Sequence, residues 1–160
     1  MKKGITLISL MVTIILMVII TTVVVISGSN IKDTTYIKSF ATEMFSVKEL
    51  VKDYEFMYDK YPVKDETIEL DLNLVPAECR SQFEGEDVIN NKISFLKLDY
   101  AKTGIRELNR GMGKLSDLDI YVYSVKTNKI YYLQGEKIDN YTYYTLTAKL
   151  YKEIGINEIN

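Results

Sequence analysis

The feature that most constrains this chain is an uncharged apolar run close to its first residue. Residues 5–27 read ITLISLMVTIILMVIITTVVVIS, without a charge, a proline or a glycine. As a helix that rises about 1.5 Å per residue, this run would span roughly 35 Å, and the hydrocarbon core of a bilayer is about 30 Å thick. Because a helix satisfies its backbone hydrogen bonds within one segment, we expect a transmembrane helix over residues 5–28.

The charges that flank this run predict its orientation in the membrane. Lys2 and Lys3 are the only charged residues before position 32, and all 22 acidic side chains lie after the run. The positive-inside rule places such a basic flank in the cytoplasm, so the body of a single-pass cell-membrane protein would lie outside. A cleaved secretory signal fits poorly, because its apolar region usually has about 7–15 residues and ends at a small-residue site. An uncleaved signal anchor stays open.

The residue types in the chain argue against catalysis. The chain has no histidine, which removes the commonest general base and the commonest metal ligand. Cys79 is its single cysteine, which excludes an internal disulfide and a cysteine-based zinc cluster. The stretch Arg110-Gly111-Met112-Gly113-Lys114 lacks the first glycine and the Ser or Thr of a phosphate-binding loop. We therefore expect no enzymatic activity and no cofactor.

A second pattern predicts that the helix continues beyond the membrane. The heptad-like spacing of its apolar positions indicates an amphipathic helix over residues 29–60, which Pro62 would end. The apolar positions form one line along the helix, which we call the seam. Either a coiled-coil partner or the chain's own sheet could cover it, and two heptads are short enough to favour the sheet. The seam steps alternately by three and four residues, through Ile37, Phe40, Met44, Val47, Val51, Tyr54 and Tyr58.

Residues 61–160 carry the patterns of loops and an antiparallel sheet. The expected fold is therefore α+β, with a long N-terminal helix, membrane-spanning in its first half, packed on a small antiparallel sheet in an extracytoplasmic domain of residues 29–160. The predicted elements are a strand at 68–74, a loop with Pro76 and the acidic stretch 84–87, a strand or buried turn at 93–98, a short helix at 99–110 capped by Asp99 with its exit at Gly111 and Gly113, a hairpin of 119–125 and 129–133, a polar turn at 135–140, and a third strand at 141–146 with a short tail after it.

The residues that precede the apolar run and open it form a recognisable signal. The sequence Lys2-Lys3-Gly4-Ile5-Thr6-Leu7-Ile8-Ser9-Leu10 has a short basic leader, a glycine, and an apolar residue followed by Thr-Leu. It resembles the class III signal of type IV pilins and pseudopilins, closely over the leader and the apolar run and only in architecture beyond them. The resemblance implies a pilin-like fold, a leader of residues 1–4, cleavage between Gly4 and Ile5 by a prepilin peptidase, and methylation of Ile5.

The same resemblance implies the partners of assembly. These are the membrane, other pilin-like subunits, a polytopic platform protein and, indirectly, an assembly ATPase, with Thr6, Leu7 and Ser9 on the assembling helix. Glycine suits the cleavage position because a residue without a side chain lets the backbone enter a tight site. Lys2 and Lys3 would hold that site at the cytoplasmic surface, where anionic lipid attracts them.

Ser9 departs from the pattern of the family, which usually carries a glutamate at this position. That glutamate is thought to neutralise the N-terminal amine of a neighbouring subunit inside the membrane, where an unpaired charge is costly. Serine accepts a hydrogen bond but neutralises no charge. The departure fits either a subunit that starts or caps a fibre, or an ordinary subunit like the Gram-positive pilin-like proteins that tolerate serine here.

Two further patterns in the outer domain have weaker functional interpretations. The chain has 13 tyrosines, many of them near its C-terminal end, but tyrosine is also a good strand former. The outer domain is net negative, so we expect no direct nucleic-acid binding. Asp117 and Asp119, like the acidic stretch 84–87, are weak candidates for a calcium site, and solvated acidic loops explain them better.

Two functional hypotheses follow from the sequence. The first is a pilin-like subunit, including a minor or tip pseudopilin, of a type IV filament, secretion or DNA-uptake system. The alternative is an uncleaved, signal-anchored envelope protein whose outer domain binds a ligand or a partner. Cleavage after Gly4 distinguishes the two.

Overall fold

The computed structural model describes residues 34–156. The sheet and its core belong to one compact unit that begins at Ile37. Helix α1 covers residues 34–58 in the described part of the chain. The remaining elements are β1 (Val63–Asp71), a 3₁₀ helix (Ala77–Phe83), β2 (Lys92–Leu98), α2 (Tyr100–Thr103), β3 (Tyr121–Ser124), β4 (Lys129–Ile138), β5 (Tyr141–Thr145) and α3 (Ala148–Glu153).

The seam of α1 packs against the chain's own sheet, which confirms the favoured interpretation. Ile37, Phe40, Met44, Val47 and Val51 are all buried in one cluster with side chains of β3, β4 and β5. The core contacts of α1 end there, because the next two seam positions are half-buried and exposed instead. The helix ends at residue 58, four residues before the proline that was expected to stop it.

The five strands form one antiparallel sheet in the order β1-β2-β3-β4-β5. Each strand therefore pairs with its neighbour in the sequence, which confirms an α+β fold with a helix on an antiparallel sheet. The predicted hairpin is present as β3 and β4, with Tyr121 opposite Tyr132 and Ser124 opposite Lys129. Asn128, in the turn between the two strands, has a φ of 56°, a left-handed conformation that asparagine tolerates better than most residues.

Strand β1 lies further towards the N-terminus than the alternating pattern predicted. It begins at Val63, opposite Leu98, and ends at Asp71, opposite Lys92. The segment 64–67 is polar and exposed, so burial does not make it a strand. It belongs to β1, which pairs with β2 at Val63 and again from Thr67 onwards, with a register shift between these two residues. Residues 72–75 form a turn, in which the N–H of Leu74 donates to the carbonyl oxygen of Asp71 at 3.0 Å.

Helix α2 is capped as expected but is much shorter than predicted. The Asp99 side chain accepts the N–H of Ala101 at 3.2 Å, which is an N-cap interaction. The helix stops at Gly104, whose φ of 74° is left-handed and readily adopted by glycine. The chain then runs as a loop over residues 104–120, where the sequence had predicted helix as far as position 110.

The predicted polar turn at 135–140 is wrong, because β4 continues to Ile138 and the turn is confined to Asp139 and Asn140. Gly135 lies inside the strand with a φ of 71°, where the register to β5 shifts. A Cβ at Gly135 would lie 2.6 Å from the side chain of Thr142 and 2.7 Å from the ring of Tyr144. This glycine therefore marks an irregularity in the strand rather than its end.

Two short helices that the sequence interpretation missed complete the domain. The 3₁₀ helix Ala77–Phe83 lies within the stretch predicted as a loop, and α3 follows Thr147, whose hydroxyl oxygen accepts the N–H of Leu150. Both faces of the sheet are therefore covered. We call the side packed by α1 the α1 face and the side packed by residues 75–83 the 3₁₀ face.

Candidate functional site

The densest polar arrangement in the described domain lies where the loop 104–120 meets α1 and the sheet. Two carboxylates are buried there: Glu43 on α1 is 8% exposed and Asp119 at the end of the loop is 2% exposed. Burying a carboxylate is costly unless hydrogen-bond donors surround it. The donors around these two residues therefore define what the site does.

Glu43 fastens the loop to the helix. Its Oε2 accepts the N–H of Asn109 at 2.9 Å, and its Oε1 accepts the N–H of Arg110 at 3.2 Å. The hydroxyl of Tyr121 donates to the same Oε1 at 2.7 Å. One side chain of α1 thus holds two consecutive loop amides and a tyrosine of β3.

Asp119 links separate parts of the loop to one another and links the loop to the sheet. Its Oδ1 accepts the N–H of Gly111 at 2.6 Å and the hydroxyl of Tyr132 at 2.9 Å. Its Oδ2 accepts the N–H groups of Lys114 and Leu115 at 2.8 and 3.2 Å. Four donors from the loop and from β4 therefore converge on one carboxylate.

These bonds determine the charge state of Asp119. Burial by itself raises the pKa of this carboxyl group, but the donors from Gly111, from Tyr132 and from the other loop amides favour the ionised form. The net effect is a pKa below the usual value for aspartate. Asp119 is therefore a carboxylate at neutral pH, and its charge is stabilised by these hydrogen bonds.

Tyr100, the first residue of α2, joins the loop to the strand. Its hydroxyl donates to the carbonyl oxygen of Gly111 at 2.6 Å and accepts the N–H of Tyr121 at 3.0 Å. Burial raises the pKa of Tyr100 to about 12, so the hydroxyl keeps its proton over the physiological range. Gly111 is required here, because a Cβ would lie 2.3 Å from the ring of Tyr121.

An ion pair closes the outer end of the network. Nε of Arg110 lies 3.0 Å from one oxygen of Glu136, and Nη2 lies 3.1 Å from the other, which is the bidentate geometry of strong arginine–carboxylate pairs. The guanidinium also lies 5.4 Å from the centre of the Phe40 ring. Desolvation lowers the pKa of Arg110, but the hydrogen bonds and the charge of Glu136 raise it by more. The net effect is a pKa above the usual value for arginine.

The arrangement holds the loop 104–120 against α1 and the sheet. The donors to Glu43 and Asp119 are backbone amides of this loop and the hydroxyls of Tyr121 and Tyr132, whereas Asp117 is exposed to solvent. Among residues 34–156, no group of three or more acidic or cysteine side chains is placed to hold a metal ion. The sequence had singled out Asp117 and Asp119 together, and the structure gives only Asp119 a defined role.

The acidic stretch 84–87 is likewise engaged rather than simply solvated. Glu86 accepts the hydroxyl of Ser124 at 2.8 Å and that of Tyr131 at 2.9 Å, and it also bonds to Thr127. Asp87 forms an ion pair with Lys126. The stretch therefore fixes the β3–β4 turn through side chains that the charge pattern did not distinguish.

The tyrosines of the central strands are core residues. Tyr121, Tyr131 and Tyr132 are each at most 1% exposed. Burial raises the pKa of all three hydroxyl groups. Rings buried in this way have no free face for stacking on a base or a sugar, which favours the interpretation of these three residues as strand formers.

Sequence reasoning missed Glu43, although a signal for it exists. Glu43 lies three residues after Phe40 and four before Val47, so it falls at the edge of the apolar seam. A charged side chain at such a position indicates that it has a buried hydrogen-bond partner. Its partners come from a loop more than 60 residues away, so no local pattern names them.

The residues of the proposed processing and assembly signal lie outside the described part of the chain. They are Lys2, Lys3, Gly4, Ile5, Thr6, Leu7 and Ser9, which belong to the predicted leader 1–4 and the predicted transmembrane helix 5–28.

Within residues 34–156, no helix is both long enough and apolar enough to span a bilayer.

Comparison with known proteins gives no match: no protein-family model fits the chain, and no curated protein or solved structure is significantly similar to it.

Proposed function

We propose that this chain is a pilin-like subunit of a type IV filament, secretion or DNA-uptake system, cleaved after Gly4 and assembled through its apolar N-terminal helix. One observation carries the proposal: Lys2-Lys3-Gly4 is followed directly by a 23-residue uncharged segment that opens with Ile5-Thr6-Leu7. A basic flank holds the cleavage site at the inner membrane surface, and glycine gives a peptidase access to the backbone.

The packing of α1 supports this assignment. The seam positions from Ile37 to Val51 pack on the chain's own sheet, and Phe40, Met44 and Val47 are fully buried there. This part of the helix therefore needs no coiled-coil partner. We assign packing against other subunits to the apolar run of residues 5–27 instead.

The proposed mechanism is assembly rather than catalysis. The apolar run keeps each subunit in the membrane with its domain outside, until a platform protein driven by an ATPase extracts it. In the fibre, the same run packs against neighbouring subunits and so buries the surface that lipid buried before. The network around Glu43 and Asp119 would keep the loop 104–120 folded against the domain during this transfer.

Ser9 bears on the place of the subunit within the proposed fibre. A subunit with serine at this position contributes no carboxylate to a neighbour's amine. It is therefore either a subunit at the start or tip, where no further subunit has to be neutralised, or an ordinary subunit that tolerates serine, and we propose the first. Quantitative mass spectrometry of purified fibres should then find far fewer copies of this chain than of the shaft subunit. Equal abundance would instead make it an ordinary subunit.

Cleavage is tested by the intact mass of the full chain, extracted from membranes after co-expression with a prepilin peptidase. We expect loss of residues 1–4 and addition of one methyl group at Ile5. Gly4→Val should block cleavage, because a β-branched side chain closes access to the backbone. Gly28→Val, the same change at the other end of the apolar run, is the matched control and should be cleaved normally.

A full-length, unmodified chain in the presence of active peptidase would overturn the proposal. That outcome would favour the signal-anchored envelope protein, in which the apolar run is a permanent anchor. Equal cleavage of the Gly4 and Gly28 variants would also count against it, since the signal would then not depend on Gly4.

A further inference from the structure

The two edges of the sheet are protected in different ways. Edge strands present unpaired N–H and C=O groups that can accept another strand, and proteins usually blunt them with charges or bulges. The β1 edge has both devices, namely the charged stretch 64–66 and a register shift between Val63 and Thr67. The β5 edge, Tyr141–Thr145, has no charge and consists entirely of strong strand formers.

The side chain of Gln82 lies along this uncharged edge. Its Nε2 donates to the carbonyl oxygen of Thr142 at 2.7 Å, and its Oε1 accepts the N–H of Tyr144 at 2.8 Å. These two backbone groups flank Tyr143, which pairs on its other side with Glu136 of β4. A peptide group of a neighbouring strand would use the same carbonyl and the same N–H.

The remaining bonding capacity of the amide is also used. Nε2 of Gln82 makes a second contact with the hydroxyl of Tyr141 at 3.3 Å, and Oε1 accepts the N–H of Thr145 at the same distance. A glutamine amide has two donors and two acceptor sites, so every one is engaged. Gln82 is 7% exposed, and the 3₁₀ helix that carries it is fixed in the core by Cys79 and Phe83.

We propose that the Gln82 side chain serves as an internal substitute for a sixth strand and closes the β5 edge against strand addition by a second copy of this chain. A second copy is the fitting occupant, because two identical uncharged β5 edges meet without charge repulsion in a two-fold antiparallel pair. The proposal concerns the folded domain and does not depend on the proposed function.

Hydrogen exchange tests the closure directly in the full chain, solubilised in detergent micelles. In the unaltered protein, the amides of Tyr144 and Thr145 should be protected, although they lie on a sheet edge. Gln82→Met keeps the bulk of the side chain but removes the amide, and it should raise exchange at these two amides at least tenfold. The matched control is Gln134→Met, the same change at the only other glutamine, which should leave them unchanged.

Light scattering of the same micelle samples tests the occupant. The Gln82→Met protein should gain mass as its concentration rises, whereas the unaltered protein and the Gln134→Met protein should not. Rapid exchange at Tyr144 and Thr145 in the unaltered protein would overturn the closure, and this measurement needs no variant to fold. Faster exchange in Gln82→Met without any gain in mass would overturn the role against a second copy.

Discussion

Both faces of the sheet bury aromatic and aliphatic side chains, but the two faces are organised differently. On the α1 face, a single helix packs a regular seam over the strands, and the buried polar groups include the carboxylates of Glu43 and Asp119. On the 3₁₀ face, a short irregular segment covers an aromatic cluster, and the buried polar groups include the neutral amide of Gln82. The rings of that cluster are Phe83, Phe95, Tyr131 and Tyr144.

This contrast shows how each covering segment is held in place. The apolar contacts of a regular seam are enough to position a helix on a sheet. The polar groups of α1 can therefore bind another segment, here the loop 104–120. The 3₁₀ helix has too few turns for a seam, so Phe83 and Gln82 must position it individually. The following predictions test this contrast in the full chain, by urea unfolding followed through tyrosine fluorescence, since the chain has no tryptophan.

The largest effect is expected at Asp119. Asp119→Ala leaves three loop amides and the hydroxyl of Tyr132 without their acceptor in a buried site. We expect a loss of about 3–5 kcal/mol in the free energy of unfolding, as when one partner of a buried charged network is removed. The control Asp117→Ala is exposed and should change it by less than about 0.5 kcal/mol. Equal effects at the two positions would show that the network does not hold the loop.

The next largest effect is expected at Phe83. Its ring stacks on Tyr131 at 5.1 Å between centroids and also contacts Phe95 and Tyr144. Phe83→Ala should cost about 3 kcal/mol or more, a typical value for truncating a buried aromatic residue. Phe40→Ala on the α1 face should cost a similar amount. A cost below about 1 kcal/mol for Phe83→Ala alone would mean that the 3₁₀ helix packs only weakly on the sheet. The two faces would then contribute unequally to the stability of the domain.

A smaller effect depends on pH. The pKa of Asp119 is lowered in the folded state, so its ionised form stabilises the fold above the ordinary aspartate pKa of about 3.9. This contribution is lost as the pH falls through the lowered pKa. At pH 7, Asp119→Asn should cost about 1–3 kcal/mol, because an uncharged amide accepts the loop N–H groups less well. The difference from the unaltered protein should shrink below about pH 4. A difference that is constant down to pH 2 would contradict the assigned charge state.

The smallest effect is expected at the exposed end of α1. Phe56 is 93% exposed and lies beyond the last core residue of the seam, Val51. Phe56→Ser should change the free energy of unfolding by less than about 0.5 kcal/mol. Val51→Ser, the same kind of change one turn inside the seam, should cost several times more. A comparable loss at both positions would move the end of the α1 core beyond Val51.

Periodic and turn patterns predicted the parts of the fold that local interactions determine. The seam of α1, the Asp99 cap and the hairpin of β3 and β4 are all present, because each depends on neighbours within a few residues. The polar stretch that begins β1 and the residues of β4 beyond Gly135 were misassigned. The residues of β4 beyond Gly135 are a strand because β5 pairs with them, and the polar stretch of β1 lies between Val63 and Thr67, which both pair with β2.

The candidate site was far less predictable than the fold. Asp119 stood out for its charge, but its four donors are gathered only when the loop 104–120 closes on the sheet. Glu43 and Gln82 were not singled out at all, since their partners lie more than 55 residues away along the chain. A charged or polar side chain looks the same in the sequence whether water or protein surrounds it.

The uncharged 23-residue run after Lys-Lys-Gly, the helical seam and the β-rich segments are visible in the sequence alone, because they are properties of neighbouring residues. Which polar groups are buried, and what they bind, depends on the tertiary structure. The Glu43 carboxylate binds the backbone amides of a distant loop, and the Gln82 amide lies along the edge of a strand. Long-range packing removes water from such groups, and it then has to supply donors and acceptors from whatever part of the chain it brings near.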